Sequence, residues 1–174
     1  MSHPALIVID LQNDYFPGGA FALANTEATL DQVEAAIAAA RAEGVPVVHV
    51  QHVADPAAGL SPFFNADTPG VQIHPRVLAA APDAPVVVKH FADSFERTTL
   101  KATLDALGVD ELIVCGMMTQ NCVTHTAISK QAESYAQVTV LSDASTTVSE
   151  MLHAIALHAL STRVRVATVA EALG

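Results

Sequence analysis

The chain has 174 residues, enough for one domain with a full core, and 51 % are apolar against 15 % charged, which excludes a disordered segment. Eight Lys and Arg stand against eighteen Asp and Glu, a formal net charge of −10, and no basic cluster offers a track for phosphates, so no nucleic-acid partner is expected. The apolar runs are far shorter than a membrane span, no basic stretch precedes the first of them, and two cysteines cannot build a disulfide framework; a cytoplasmic protein with no membrane partner is expected.

The first apolar run, "ALIVID" (5–10), reads as a strand. Residues 29–42 place Leu30, Val33, Ile37 and Ala40 at helical spacing, with Gly44 and Pro46 as stop signals. "VPVVHVQ" (45–51) is the second strand. From His52 to about Ala84 the chain is rich in Pro, Ala and Gly, with "FFNADTPGVQIHP" in its middle. So long a loop without periodicity usually has a task, and a substrate lid is the common one. "PVVVK" (85–89) is the third strand. Residues 98–107 form a helix through Leu100, Leu104 and Leu107 that ends at Gly108. "ELIVCG" (111–116), a helix over 120–134, "QVTVLS" (137–142), a helix over 149–161 and "RVRVAT" (163–168) complete the chain. The strands are continuous apolar runs rather than alternating ones, as strands covered on both faces are. The spacing therefore predicts one α/β domain over 1–174, a parallel sheet between two helical layers. There is no internal repeat.

In such sheets ligands gather beyond the carboxyl ends of the strands. Asp10 ends the first strand, Lys89 ends the third, and Cys122 lies just past the fourth in "GMMTQNCVTH" (116–125). Taken singly each has a plain reading: Asp10 as a turn residue, Lys89 as a strand end reaching solvent, Cys122 as a small core residue. Taken together they are a nucleophile, a base for its proton and a cation, a chemically complete set. If Thr119 is the N-cap of the following helix, Cys122 falls at N3, where free backbone N–H groups and the helix dipole bias a thiol toward thiolate.

"VIDLQNDYFPGG", "VVKHFADSFERTTL" and "VCGMMTQNCVTHTA" resemble the three signature segments of the isochorismatase-like cysteine hydrolases, which include nicotinamidases and N-carbamoylsarcosine amidohydrolases. The similarity runs in order over nearly the whole chain, down to "VTVLSDASTT". The resemblance implies a three-layer α/β/α fold with a six-stranded parallel sheet in the order 3-2-1-4-5-6. It implies Asp10 as general base, Lys89 as its ion-pair partner and Cys122 as nucleophile. It also implies a cis peptide between Met117 and Met118, which would aim the Met118 N–H, beside that of Cys122, at a developing oxyanion. Tyr15, Phe95 and Met117 are the candidate substrate contacts, Phe63 or Phe64 could close a lid, and Gln12 and Asn13 could be supporting donors. Small-molecule substrates and a homo-oligomer are implied as partners.

The match departs at one place. Nicotinamidases of this family hold a divalent metal with an Asp-x-His pair after the second strand, and here "VVHVQHVA" puts His52 and Ala54 at those positions. His49, His52, His74 and His90 show no ligand spacing, so no metal and no cofactor are expected. His125, His153 and His158 take a structural reading. The leading function is a metal-independent amidase or ureido hydrolase. Its rivals are vinyl-ether cleavage of the isochorismatase kind, which needs the acid and the lysine but no nucleophilic cysteine, and an idle binding protein. A dinucleotide-binding domain fails for want of G-x-G-x-x-G after the first strand.

Overall fold

The first apolar run shows how both faces of a strand come to be buried. Leu6 and Val8 face one helical layer, while Ala5, Ile7 and Ile9 face the other. In the computed structural model, which describes residues 2–174, this run is β1 (Pro4–Ile9). It is followed by β2 (Val47–His52), β3 (Val86–Lys89), β4 (Glu111–Met117), β5 (Gln137–Thr146) and β6 (Arg165–Ala167). All pair in parallel, in the order β3-β2-β1-β4-β5-β6. The three-layer α/β/α architecture and the strand order expected from the sequence are both present.

One face is covered by α1 (Thr26–Ala42), α2 (Pro75–Ala80) and α6 (Val169–Leu173), packing Leu30, Val33, Ile37, Val77 and Val169 on Leu6, Val8, Ile113 and Cys115. The other is covered by α3 (Leu100–Ala106), α4 (Thr124–Ala127) and α5 (Glu150–Leu160), packing Leu100, Leu104, Ala127 and Leu160 on Ile7, Ile9, Val48, Val87 and Val114. Each such side chain contributes about 1.5–3 kcal/mol by leaving water. No helix among the described residues is long and apolar enough to cross a membrane.

Two expectations need correction. The helix expected over 120–134 is broken into a wide turn of π type at Thr119–Val123, the four residues of α4, and a 3-10 turn at Ala132–Ser134. Polar and β-branched residues dominate its start, and the Thr124 hydroxyl donates to the Thr119 carbonyl at 2.6 Å, competing with the regular helical ladder. The stretch from His52 to Ala84 is also not structureless. It holds 3-10 turns at Pro56–Ala58 and Pro69–Val71 and the whole of α2. It is closed on itself by Ala54 N–H to Phe64 O at 2.9 Å and stitched to the rest by His74 N–H to Leu11 O at 2.7 Å and a Gln12–Ile73 bridge.

Candidate active site

β1 and β4 are neighbours whose onward connections leave toward opposite edges, and their carboxyl ends form the crevice of the sheet. β4 can lie this close because residue 116 is glycine: its φ is +127°, and a Cβ there would sit 2.0 Å from the Ile9 carbonyl oxygen. Asp10 follows β1 in a left-handed conformation, φ 56°. Cys122 lies in the turn after β4. Lys89 ends β3 and points to the same helical layer as Val87, by the two-residue period of a strand.

The three converge. Lys89 Nζ lies 3.0 Å from Asp10 Oδ2 and 3.2 Å from Cys122 Sγ, and donates to Phe91 O at 3.1 Å. Asp10 and Lys89 are wholly buried and Cys122 is 3 % exposed. Burial alone would lower the lysine's pKa, but Asp10 and Cys122 together carry it above its ordinary value. Asp10 Oδ1 has no hydrogen-bond partner.

Cys122 does not behave as its position in the sequence predicts. Thr119 is not the N-cap: that place belongs to Met118, and no side chain caps the turn. The Thr119 hydroxyl instead donates to His153 Nδ1 at 2.8 Å, while His153 Nε2–H donates to Ser142 O at 3.1 Å. Nor is the thiol biased toward thiolate. Burial and then Asp10 raise its pKa far above the usual thiol value, against the lowering effect of Lys89. The Met117–Met118 peptide bond is cis.

Of the candidate substrate contacts, Tyr15 shares the electrostatic surroundings of the cluster. Burial first, then Asp10 and Cys122, push its phenol upward. Its ring meets Phe64 at 4.6 Å and Phe63 at 5.3 Å, so the expected lid residues pack here. Phe95 is buried in the same apolar layer as Cys122 with Tyr135 at 6.1 Å, and Met117 is buried in the opposite layer.

Sequence reading passed over His52 as a member of this cluster. It ends β2 and pairs directly with Lys89 across the sheet, and its Nδ1 lies 2.9 Å from Lys89 Nζ. Both residues end neighbouring parallel strands in the same register, a signal open to anyone who aligned the two strands. Gln12, expected as a supporting donor, clamps the His52 backbone: its amide donates to His52 O at 2.7 Å and accepts from His52 N–H at 2.8 Å.

The histidines do not fit a resident metal of the nicotinamidase kind. His49 Nε2–H donates to Ala81 O, His90 Nδ1–H donates to Val53 O, and His74 Nδ1 accepts from Arg76 N–H with its ring on Phe16 at 4.5 Å. Each is turned to its own partner. Asp10, His52 and Cys122 do bring ligand-capable atoms within 4.8 Å of one another, but the lysine ammonium is bonded to all three.

A six-stranded parallel sheet with an acid, a lysine and a cysteine gathered at its central crevice is the arrangement of an α/β hydrolase-like fold. The chain belongs to the isochorismatase domain family, whose model matches residues 4–172. It is 41 % identical to an uncharacterized isochorismatase family protein of Bacillus subtilis over 75 % of this chain and 71 % of that one. It is also 41 % identical to a streptothricin hydrolase of Streptomyces noursei over 71 % of this chain, which spans only 42 % of that longer protein. The crystal structure of a candidate isochorismatase hydrolase of Oleispira antarctica superposes with a TM-score of 0.89 at 34 % identity, over 99 % of this chain and 96 % of that one. Relatives in the family are hydrolases acting on amides, among them an N-carbamoylsarcosine amidase and a maleamate amidohydrolase, and one is a probable inactive nicotinamidase.

Proposed function

We propose that this chain is a metal-independent cysteine hydrolase that cleaves the C–N bond of a small amide or ureido compound through a thioester on Cys122. The observation that carries the reading is the buried contact of one ammonium with both a carboxylate and a thiol, Lys89 to Asp10 at 3.0 Å and to Cys122 at 3.2 Å. Amide-hydrolysing relatives support it.

The free Oδ1 of Asp10 takes the thiol proton, and the thiolate, held beside the Lys89 ammonium, attacks the carbonyl carbon. The N–H groups of Met118 and Cys122, at the start of a helical turn where such groups lack partners, hold the oxyanion. Asp10 passes its proton to the leaving nitrogen and ammonia or an amine departs. Water, losing a proton to Asp10, then attacks the thioester; the acid leaves and the thiol is restored. A site this buried suits a small substrate, with Tyr15 against it and Phe95 and Met117 as outer support. We assign the working form to a homo-oligomer in the cytoplasm with no bound cofactor, to be checked by light scattering and by fractionation.

The test is ammonia release from a panel of primary amides and ureido compounds. Cys122→Ala and Asp10→Asn should each reduce turnover to background, because parts of one catalytic unit fail together. Should the reaction be vinyl-ether cleavage, Cys122→Ala keeps much of the activity and Asp10→Asn abolishes it. A slow substrate should leave an acyl adduct on Cys122 by mass spectrometry. Chelator treatment should leave turnover unchanged, and activity restored by zinc would overturn the metal-free assignment.

A further inference from the structure

We propose that His52 is a positioning residue of this site, its bare Nδ1 completing a cage of acceptors that holds the Lys89 ammonium. Its bearing on turnover rests on the cysteine-hydrolase reading; the hydrogen bond itself does not.

An ammonium has protons to give and no lone pair to receive, so every close polar neighbour must be an acceptor. Lys89 Nζ has four for its three N–H groups, so one N–H is shared: His52 Nδ1 at 2.9 Å, Asp10 Oδ2 at 3.0 Å, Phe91 O at 3.1 Å and Cys122 Sγ at 3.2 Å. The shortest of the four is to the imidazole. That fixes the tautomer, with the ring proton on Nε2. An oxygen, a nitrogen and a sulfur are thus drawn together within 4.8 Å of one another. Here the cation at their centre is covalently part of the chain.

The ring is held from behind as well. Gln12 bonds both backbone groups of His52 and ties them to Val71 O at 2.7 Å, and the Phe64 ring lies 5.8 Å from the imidazole. The charged and titratable groups that face the ring are Lys89 and His90 from β3 and its exit, Asp10 from the end of β1, and Cys122 from the turn after β4. Burial and Lys89 both disfavour a charged ring, His90 adds to this, and Asp10 opposes it; together they bring its pKa down to about 4. A neutral acceptor is therefore present throughout the ordinary working range of pH. Without it the ammonium keeps two side-chain acceptors and loses the one that sets its position between base and nucleophile.

Nitrogen-15 NMR of the full chain labelled at histidine tests this without any substrate, with His52→Asn to assign the signal. The expected result is a neutral His52 ring with its proton on Nε2, unchanged until the pH falls close to 4. Lys89→Met should move its titration upward. A proton on Nδ1, a titration near 6.5, or no response to Lys89→Met overturns the proposal, and the wild-type spectrum alone decides the tautomer if that variant fails to fold. On an amide found by the ammonia-release screen, His52→Ala should lower kcat about tenfold or more with KM little changed, as expected for one lost hydrogen bond to a charged group. His52→Asn, which keeps an acceptor oxygen, should recover most of it. Full kcat in His52→Ala with only a lower Tm would make His52 structural. Failure of every amide would instead sink the hydrolase reading and leave the NMR result standing.

Discussion

The sequence puts Cys122 where a helix terminus should favour its anion, yet its surroundings push the thiol's pKa upward. A helix dipole contributes at most ~1–2 kcal/mol, and burial of the sulfur beside a carboxylate outweighs it. That Asp10, Lys89 and Cys122 would meet was legible because they lie at or just past the ends of parallel strands; their electrostatic setting was not, because it depends on how deeply the fold encloses them. His52 went unread for a related reason: its place against Lys89 shows only once the ends of β2 and β3 are set in register. Its folded pKa, about 4, lies below the ordinary 6.5. The stability this contributes is therefore complete above pH 6.5 and is lost as the pH falls toward 4, by about 3 kcal/mol at most. Chemical denaturation between pH 7 and pH 4 should show this acid limb, and His52→Asn should flatten it.

Among the elements, those read from periodicity, the six strands and the helices α1, α3 and α5, are where the sequence places them. What escaped was set by single contacts. α6 begins with a capping box, Thr168 and Glu171, that "TVAE" announces and that was passed over because the helix is only five residues long. Order in the 52–84 stretch depends on Asp14, whose Oδ2 accepts from the buried Phe64 N–H at 2.7 Å and whose Oδ1 accepts from Ala20 N–H at 3.1 Å. Asp14→Ala leaves those donors unmatched, at about 1–3 kcal/mol for the buried one. Hydrogen exchange should quicken over residues 53–74 and stay unchanged in β1 and α1; equal quickening everywhere would show that Asp14 supports the whole fold instead. Gly116→Ala drives a Cβ into the β1 backbone, and a loss of at least about 3 kcal/mol is expected in denaturant unfolding.

At the scale of the molecule, the groups proposed to react are closed off from solvent, with Asp10 and Lys89 at 0 % and Cys122 at 3 % exposure. On the proposed function a substrate reaches them only if the structure opens, and the Asp14-tethered segment, whose Phe64 lies against the His52 ring, is the piece tested for that opening. Labelling by a thiol reagent should be far slower in the native protein than in the unfolded one. Asp14→Ala should speed it at Cys122 and leave Cys115 untouched; equal rates at both would mean that global unfolding, not a local opening, admits the reagent. The two sulfurs can be told apart in this way because the sheet lies between them, Cys115 packed under α1 and Cys122 on the opposite side. That partition also governs the response to oxidants. A peroxide that converts Cys122 to its sulfenic acid meets no resolving thiol within the chain, so recovery depends on a thiol supplied from solution, and where none arrives the next oxidation, to the sulfinic acid, is permanent.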